Sequence, residues 1–97
     1  MNDTITTNKA KHLLHKLKLS NRMFFLEYQK PFEDRQHILC RMLLNKNLKP
    51  FEKIFEEERY NDIEVYNVSD QSFIKLNINE ILFIRYNDVR YYIISRQ

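Results

Sequence analysis

Ile81-Leu82-Phe83-Ile84-Arg85-Tyr86-Asn87-Asp88-Val89-Arg90-Tyr91-Tyr92-Ile93-Ile94 decides how this chain is read. Two β-rich runs, 81–86 and 89–94, flank an Asn-Asp pair. Asn and Asp take positive φ more readily than other non-glycine residues, so the pair predicts a tight hairpin. Alternation puts Leu82, Ile84 and Tyr86 on one side, and Ile81, Phe83 and Arg85 on the other. Neither side is polar. Either the sheet is covered on both faces, or one face is an interaction surface.

Working back towards the N-terminus, Asn77–Glu80 reads as a turn and Phe73–Leu76 as a strand. Ser69–Ser72 is a second turn cluster. Ile63 to Val68 alternates as a further strand, with Ile63, Val65 and Asn67 to one side. These pieces predict a three- to four-stranded antiparallel meander over residues 63–95.

Residues 1–60 read as helical. Ala10, Leu13, Leu14 and Leu17 are spaced three and four apart on one stripe, with Thr6 or Thr7 as the cap. Ser20 caps a second segment containing Met23, Phe24, Leu26 and Tyr28. Pro31 suits a first helical turn, and Ile38, Leu39, Met42 and Leu43 form the next stripe. Asn45-Lys46-Asn47 is an exit. Pro50 opens another segment, with Phe51, Ile54 and Phe55 inward and Glu56-Glu57-Glu58 outward. The expected fold is α+β: about three N-terminal helices packed on the C-terminal meander, in one small domain spanning 1–97.

The 97 residues include no glycine. That excludes the Gly-rich phosphate loop, the dinucleotide fingerprint and the Gly-x-Ser-x-Gly nucleophile turn, each of which needs a residue without Cβ. Phe, Tyr, Met, Ile, Asn and Lys dominate the composition. Their AT-rich codons point to a low-GC bacterium, its phage or a plasmid. Every turn must nevertheless be built from residues that carry a Cβ.

The chain is 43% hydrophobic and 13% aromatic, enough for a folded core. Its formal net charge is +3. The charge is polarised: Lys9, Lys11, Lys16, Lys18 and Arg22 lie at the start, and Glu52, Glu56, Glu57, Glu58 and Asp62 in the middle. The single Cys40 permits no intrachain disulfide and suits a reducing, cytoplasmic setting. No apolar h-region follows Met1–Thr7, and no run approaches a membrane span, so neither a leader nor membrane insertion is expected.

Catalytic and metal chemistry find little footing. His12 and His15 are three apart, as are His37 and Cys40, so each pair can share a helix face. Four such groups make up a zinc ligand count, but their spacing fits no known finger. Solvent histidines and a buried thiol account for them more simply. Cys40 lies within a segment rather than at a helix start, which suits packing better than nucleophilic attack. No catalytic residue, metal, cofactor or small-molecule substrate is expected.

Two surfaces remain. Arg85, Tyr86, Arg90, Tyr91 and Tyr92 give the last hairpin a cationic, aromatic face suited to a protein partner or a second copy of the chain. Lys9, Lys11, Lys16, Lys18 and Arg22 are candidate phosphate contacts, and with the hairpin they support nucleic-acid binding as an alternative. The first expectation is a small non-enzymatic protein-interaction or regulatory module. The alternative is a nucleic-acid-binding regulator.

Phe73 to Ile94, with Phe-Ile-Lys-Leu-Asn-Ile-Asn-Glu-Ile-Leu-Phe-Ile at its start, resembles the opening strands of LytTR-type DNA-binding domains. That resemblance implies an all-β DNA reader, and no DNA-reading residue carries over from it. Phe-Ile-Arg-Tyr-Asn-Asp-Val-Arg-Tyr-Tyr-Ile, from Phe83, is similar to the closing strands of RelE-like ribonucleases, although the leading strand of that fold is not evident here. Neither likeness assigns the chain to a family.

Overall fold

The computed structural model describes residues 1–43 and 61–94. Among these lie one α-helix and one seven-stranded sheet. The strands are β1 (Asn2–Thr6), β2 (Phe24–Tyr28), β3 (Gln36–Arg41), β4 (Asp62–Asn67), β5 (Ser72–Asn77), β6 (Ile81–Tyr86) and β7 (Val89–Ile94). Helix α1 runs Thr7–Ser20, and a short 3-10 turn covers Ile78–Glu80.

Helix α1 forms as its stripe dictates. Ala10, Leu14 and Leu17 are buried, and the Thr6 hydroxyl accepts from the Lys9 N–H at 3.3 Å. Asn21 ends the helix at φ 54, doing the work glycine usually does. The other helices expected in the first 60 residues do not appear among the described residues. The segment with Phe24, Leu26 and Tyr28 is β2, and the stripe placed after Pro31 is β3. Pro31 opens a loop instead. The segments at Asn45–Asn47 and from Pro50 fall outside the described residues.

The reason is visible in the register. Phe24, Leu26 and Tyr28 point inward from β2, and Cys40 faces Phe24 from β3. Phe25 and Leu39 pair on the opposite side. With apolar groups on both faces, the period of two is lost to the eye, and Ile38-Leu39 with Met42-Leu43 imitates a helical stripe.

The sheet order is β1-β7-β6-β2-β3-β4-β5. The two hairpins β4–β5 and β6–β7 form as read, but the meander does not: β6 pairs with β2, and β5 sits at the far edge. β1 joins β7 in parallel, which makes the sheet mixed. So, among the described residues, one helix on a seven-stranded sheet stands in place of about three helices on a three- to four-stranded meander.

This order forces a curl. In a flat sheet, four strand spacings would separate β5 from β6 by about 19 Å. The 3-10 turn that joins them advances only about 8 Å. The sheet therefore bends until the end of β5 meets β2 and β6. Hydrogen bonds mark the closure. The Gln29 N–H donates to the Glu80 carbonyl at 2.9 Å, and the Lys30 ammonium to the Lys75 carbonyl at 2.9 Å. The Ile78 N–H donates to the Asn61 carbonyl at 2.7 Å.

A reciprocal cap holds the turn: the Asn77 side chain accepts from the Asn79 N–H, and the Glu80 carboxylate accepts from the Asn77 N–H at 2.7 Å. The concave side contains the core, with Leu14, Leu17, Phe24, Leu26, Cys40, Val65, Leu76, Ile78 and Ile84 buried. Helix α1 packs beside β1, β7 and the 3-10 turn.

Asn87 and Asp88 form the hairpin turn at φ 55 and 65. Asn87→Val puts a β-branched residue into that left-handed conformation and should cost about 1–2 kcal/mol. Asn87→Gly should cost nothing. Urea unfolding of the two variants checks this turn.

Candidate functional site

The candidate site is the convex side of β3, β2, β6 and β7. Residues directly opposite in an antiparallel ladder share a face. Glu27 faces His37 on one neighbour and Phe83 on the other, and Phe83 faces Tyr92. A second row runs Leu39, Phe25, Arg85, Arg90. The four strands span about 14 Å.

The rings in these rows touch. Phe25 and His37 have centroids 5.5 Å apart, His37 and Phe83 5.8 Å, and Phe83 and Tyr92 5.5 Å. All three pairs are tilted, as ring quadrupoles favour. The Arg85 guanidinium lies over the Phe25 ring at 4.2 Å, and that of Arg90 over Phe83 at 5.1 Å. Phe83 is 7% exposed, covered by its neighbours on this face rather than by the core. Tyr92 and His37 are exposed.

Arg41 and Tyr66 pair one step further along, and Tyr66 meets the exposed Phe73 edge to face at 5.2 Å. Among the described residues, Arg85 and Arg90 have no carboxylate partner, and the carboxylate of the half-buried Glu27 has neither ion pair nor hydrogen bond. Among the described residues, the face therefore presents guanidinium donors without an acidic partner on a ring bed, around the Glu27 carboxylate.

The residues anticipated for this face divide. Arg85, Arg90 and Tyr92 lie on it. Tyr86 and Tyr91 point to the other side, where they pack against the core. Phe25, His37, Phe83 and Glu27 were not anticipated. The signal for them was the alternation of Phe25 with Glu27 and of Phe83 with Arg85, legible only once 24–28 is taken as a strand.

The basic helix does not assemble into one patch. Lys9 and Lys16 are seven apart, as are Lys11 and Lys18, and the two pairs sit about 200° apart around the axis. Arg22 is exposed beyond the helix end. Whether the acidic stretch 51–60 meets these lysines is a question about residues outside those described.

His37 and Cys40 point to opposite faces of β3, so they cannot act as a pair. Cys40 is fully buried, and burial pushes its thiol up to about 12, which leaves no thiolate for attack. Among the described residues, no group of three or more His, Cys, Asp or Glu could hold a metal ion. Nor is any helix there long and apolar enough to cross a membrane.

No family model, no curated protein and no solved structure matches the chain, so the LytTR-like and RelE-like resemblances add nothing to the reading of this face.

Proposed function

We propose that this protein is a non-enzymatic binding module that docks an anionic partner on the convex face of β3, β2, β6 and β7. One observation carries the reading: the Arg85 and Arg90 guanidiniums lie over Phe25 and Phe83, at 4.2 and 5.1 Å from the ring centroids, with no acidic partner among the described residues. A guanidinium held over a ring loses little freedom on binding and keeps its N–H edge for an oxyanion. Aromatic and Arg side chains dominate the energetics of such contacts.

The charge also argues against a second copy as the partner on this face. A two-fold dimer would set this patch against its own copy, with the Arg85 and Arg90 guanidiniums of both copies outnumbering the two Glu27 carboxylates. An acidic protein segment satisfies the same face and keeps the protein-interaction reading in play.

Retention on immobilised heparin, a generic polyanion, tests the face over a salt gradient. Arg85→Ala/Arg90→Ala should elute at clearly lower salt than the parent protein. The charge-matched Lys9→Ala/Lys16→Ala should shift less. If the two double variants elute together, the convex face is not the docking surface.

A further inference from the structure

The geometry points to single-stranded RNA as the occupant of this face, an inference that rests on the docking reading above. Three features combine. First, among the described residues Arg85 and Arg90 on the rows, with Arg41 one step beyond them, outnumber the Glu27 carboxylate, so the face suits a polyanion. Second, the groups presented on the face are planar: His37, Tyr92 and the two guanidiniums that lie over Phe25 and Phe83. Nucleic-acid bases stack on aromatic rings and on guanidinium planes alike, and a four-strand width accommodates two or three bases. A duplex hides its bases and leaves that planar surface unused. An acidic peptide answers the charge but supplies few flat groups to match the planes.

The third feature is Glu27. It lies in register between His37 and Phe83, in the centre of the basic face, with no partner among the described residues. A carboxylate there repels passing phosphates. It also accepts hydrogen bonds, and a ribose 2′-hydroxyl is a donor that deoxyribose lacks. Glu27 thus opposes a DNA strand and offsets that repulsion only when RNA is bound.

Fluorescence anisotropy with an eight-nucleotide labelled RNA, the DNA of the same sequence and the RNA duplex tests this. The single-stranded RNA should bind tightest. With three phosphates neutralised, the expected salt slope is about −2, so going from 50 to 200 mM salt should weaken binding roughly twentyfold. Arg85→Lys/Arg90→Lys keeps the charge and removes the planes, and should still weaken RNA binding.

Glu27→Gln and Glu27→Ala should both raise DNA affinity and narrow the RNA-to-DNA ratio. Equal affinity for RNA and DNA in the parent protein overturns the RNA assignment. Tightest binding of the duplex overturns the stacking platform. If no nucleic acid binds while heparin retention still depends on Arg85 and Arg90, the inference fails and the docking reading survives, with an acidic protein as the remaining partner. If heparin retention is also independent of Arg85 and Arg90, both fail.

Discussion

Phe24→Ala is expected to remove about 3–5 kcal/mol of stability, a large share of the roughly 5–15 kcal/mol of a typical domain. Phe24 is 1% exposed, and β2 carries a neighbouring strand on each side. Ladders on both flanks hold the backbone in place, so the void left by the ring cannot close by collapse. Phe25→Ala, one residue on, removes a half-buried ring from the convex face and should cost clearly less. The comparison reads the side-chain direction of β2 as well as its burial. Urea unfolding at unchanged m-value measures both losses. Equal losses would mean that the two rings are not on opposite faces.

Stability should also fall steeply in alkali. The Cys40 thiol is pushed by burial from 9.0 to about 12 in the folded state. Above pH 9 the unfolded chain releases this proton while the folded chain keeps it. The unfolded state then binds fewer protons, and the slope of unfolding free energy with pH is negative. The stabilisation is intact below about pH 9 and is lost at roughly 1.4 kcal/mol per pH unit as pH rises towards 12. The Tyr28 phenol is raised in the same direction, by burial first and then by Glu33, Asp70 and Cys40, so it steepens the loss at the upper end.

Cys40→Ala lowers stability at neutral pH through the cavity it makes, but it should flatten the alkaline slope. Tyr28→Phe should flatten only the upper part. Urea midpoints taken from pH 7 to 11 give the slopes directly. A parent protein and a Cys40→Ala variant with parallel curves would rule out thiol burial as the cause.

Legibility followed the range of the interactions. Helix α1 and the hairpins β4–β5 and β6–β7 depend on neighbours in sequence: a cap at Thr6, a stripe at Ala10, Leu14 and Leu17, and turns at Ser69–Ser72 and Asn87-Asp88. These were readable. Strands β2 and β3 were not. Their outward residues Phe25 and Leu39 are aromatic or apolar where a solvated face would be polar, and Leu, Met, Glu, Lys and Arg in the same stretch all favour helix. The feature that defeated the pattern is therefore the candidate site itself. A docking face departs from the patterning that advertises a strand. The hairpin half of that site, Arg85, Arg90 and Tyr92, was visible. Tyr86 and Tyr91 lie on the core side: parity already separates Tyr86 from Arg85, but with neither side of the hairpin polar it does not say which side is buried.

By itself the sequence determined the helix, the two hairpins, the glycine-free turns and a surplus of apolar and cationic residues near its end. Each is set by contacts a few residues apart, where chain connectivity does most of the ordering. Only the tertiary structure decided that β6 pairs with β2 rather than β5, that β1 lies beside β7, and that the sheet curls to close on the 3-10 turn. Those choices join segments tens of residues apart. They are made by which apolar faces can be buried together at once, and no local pattern encodes that. The row His37, Glu27, Phe83, Tyr92 exists only as a product of that pairing.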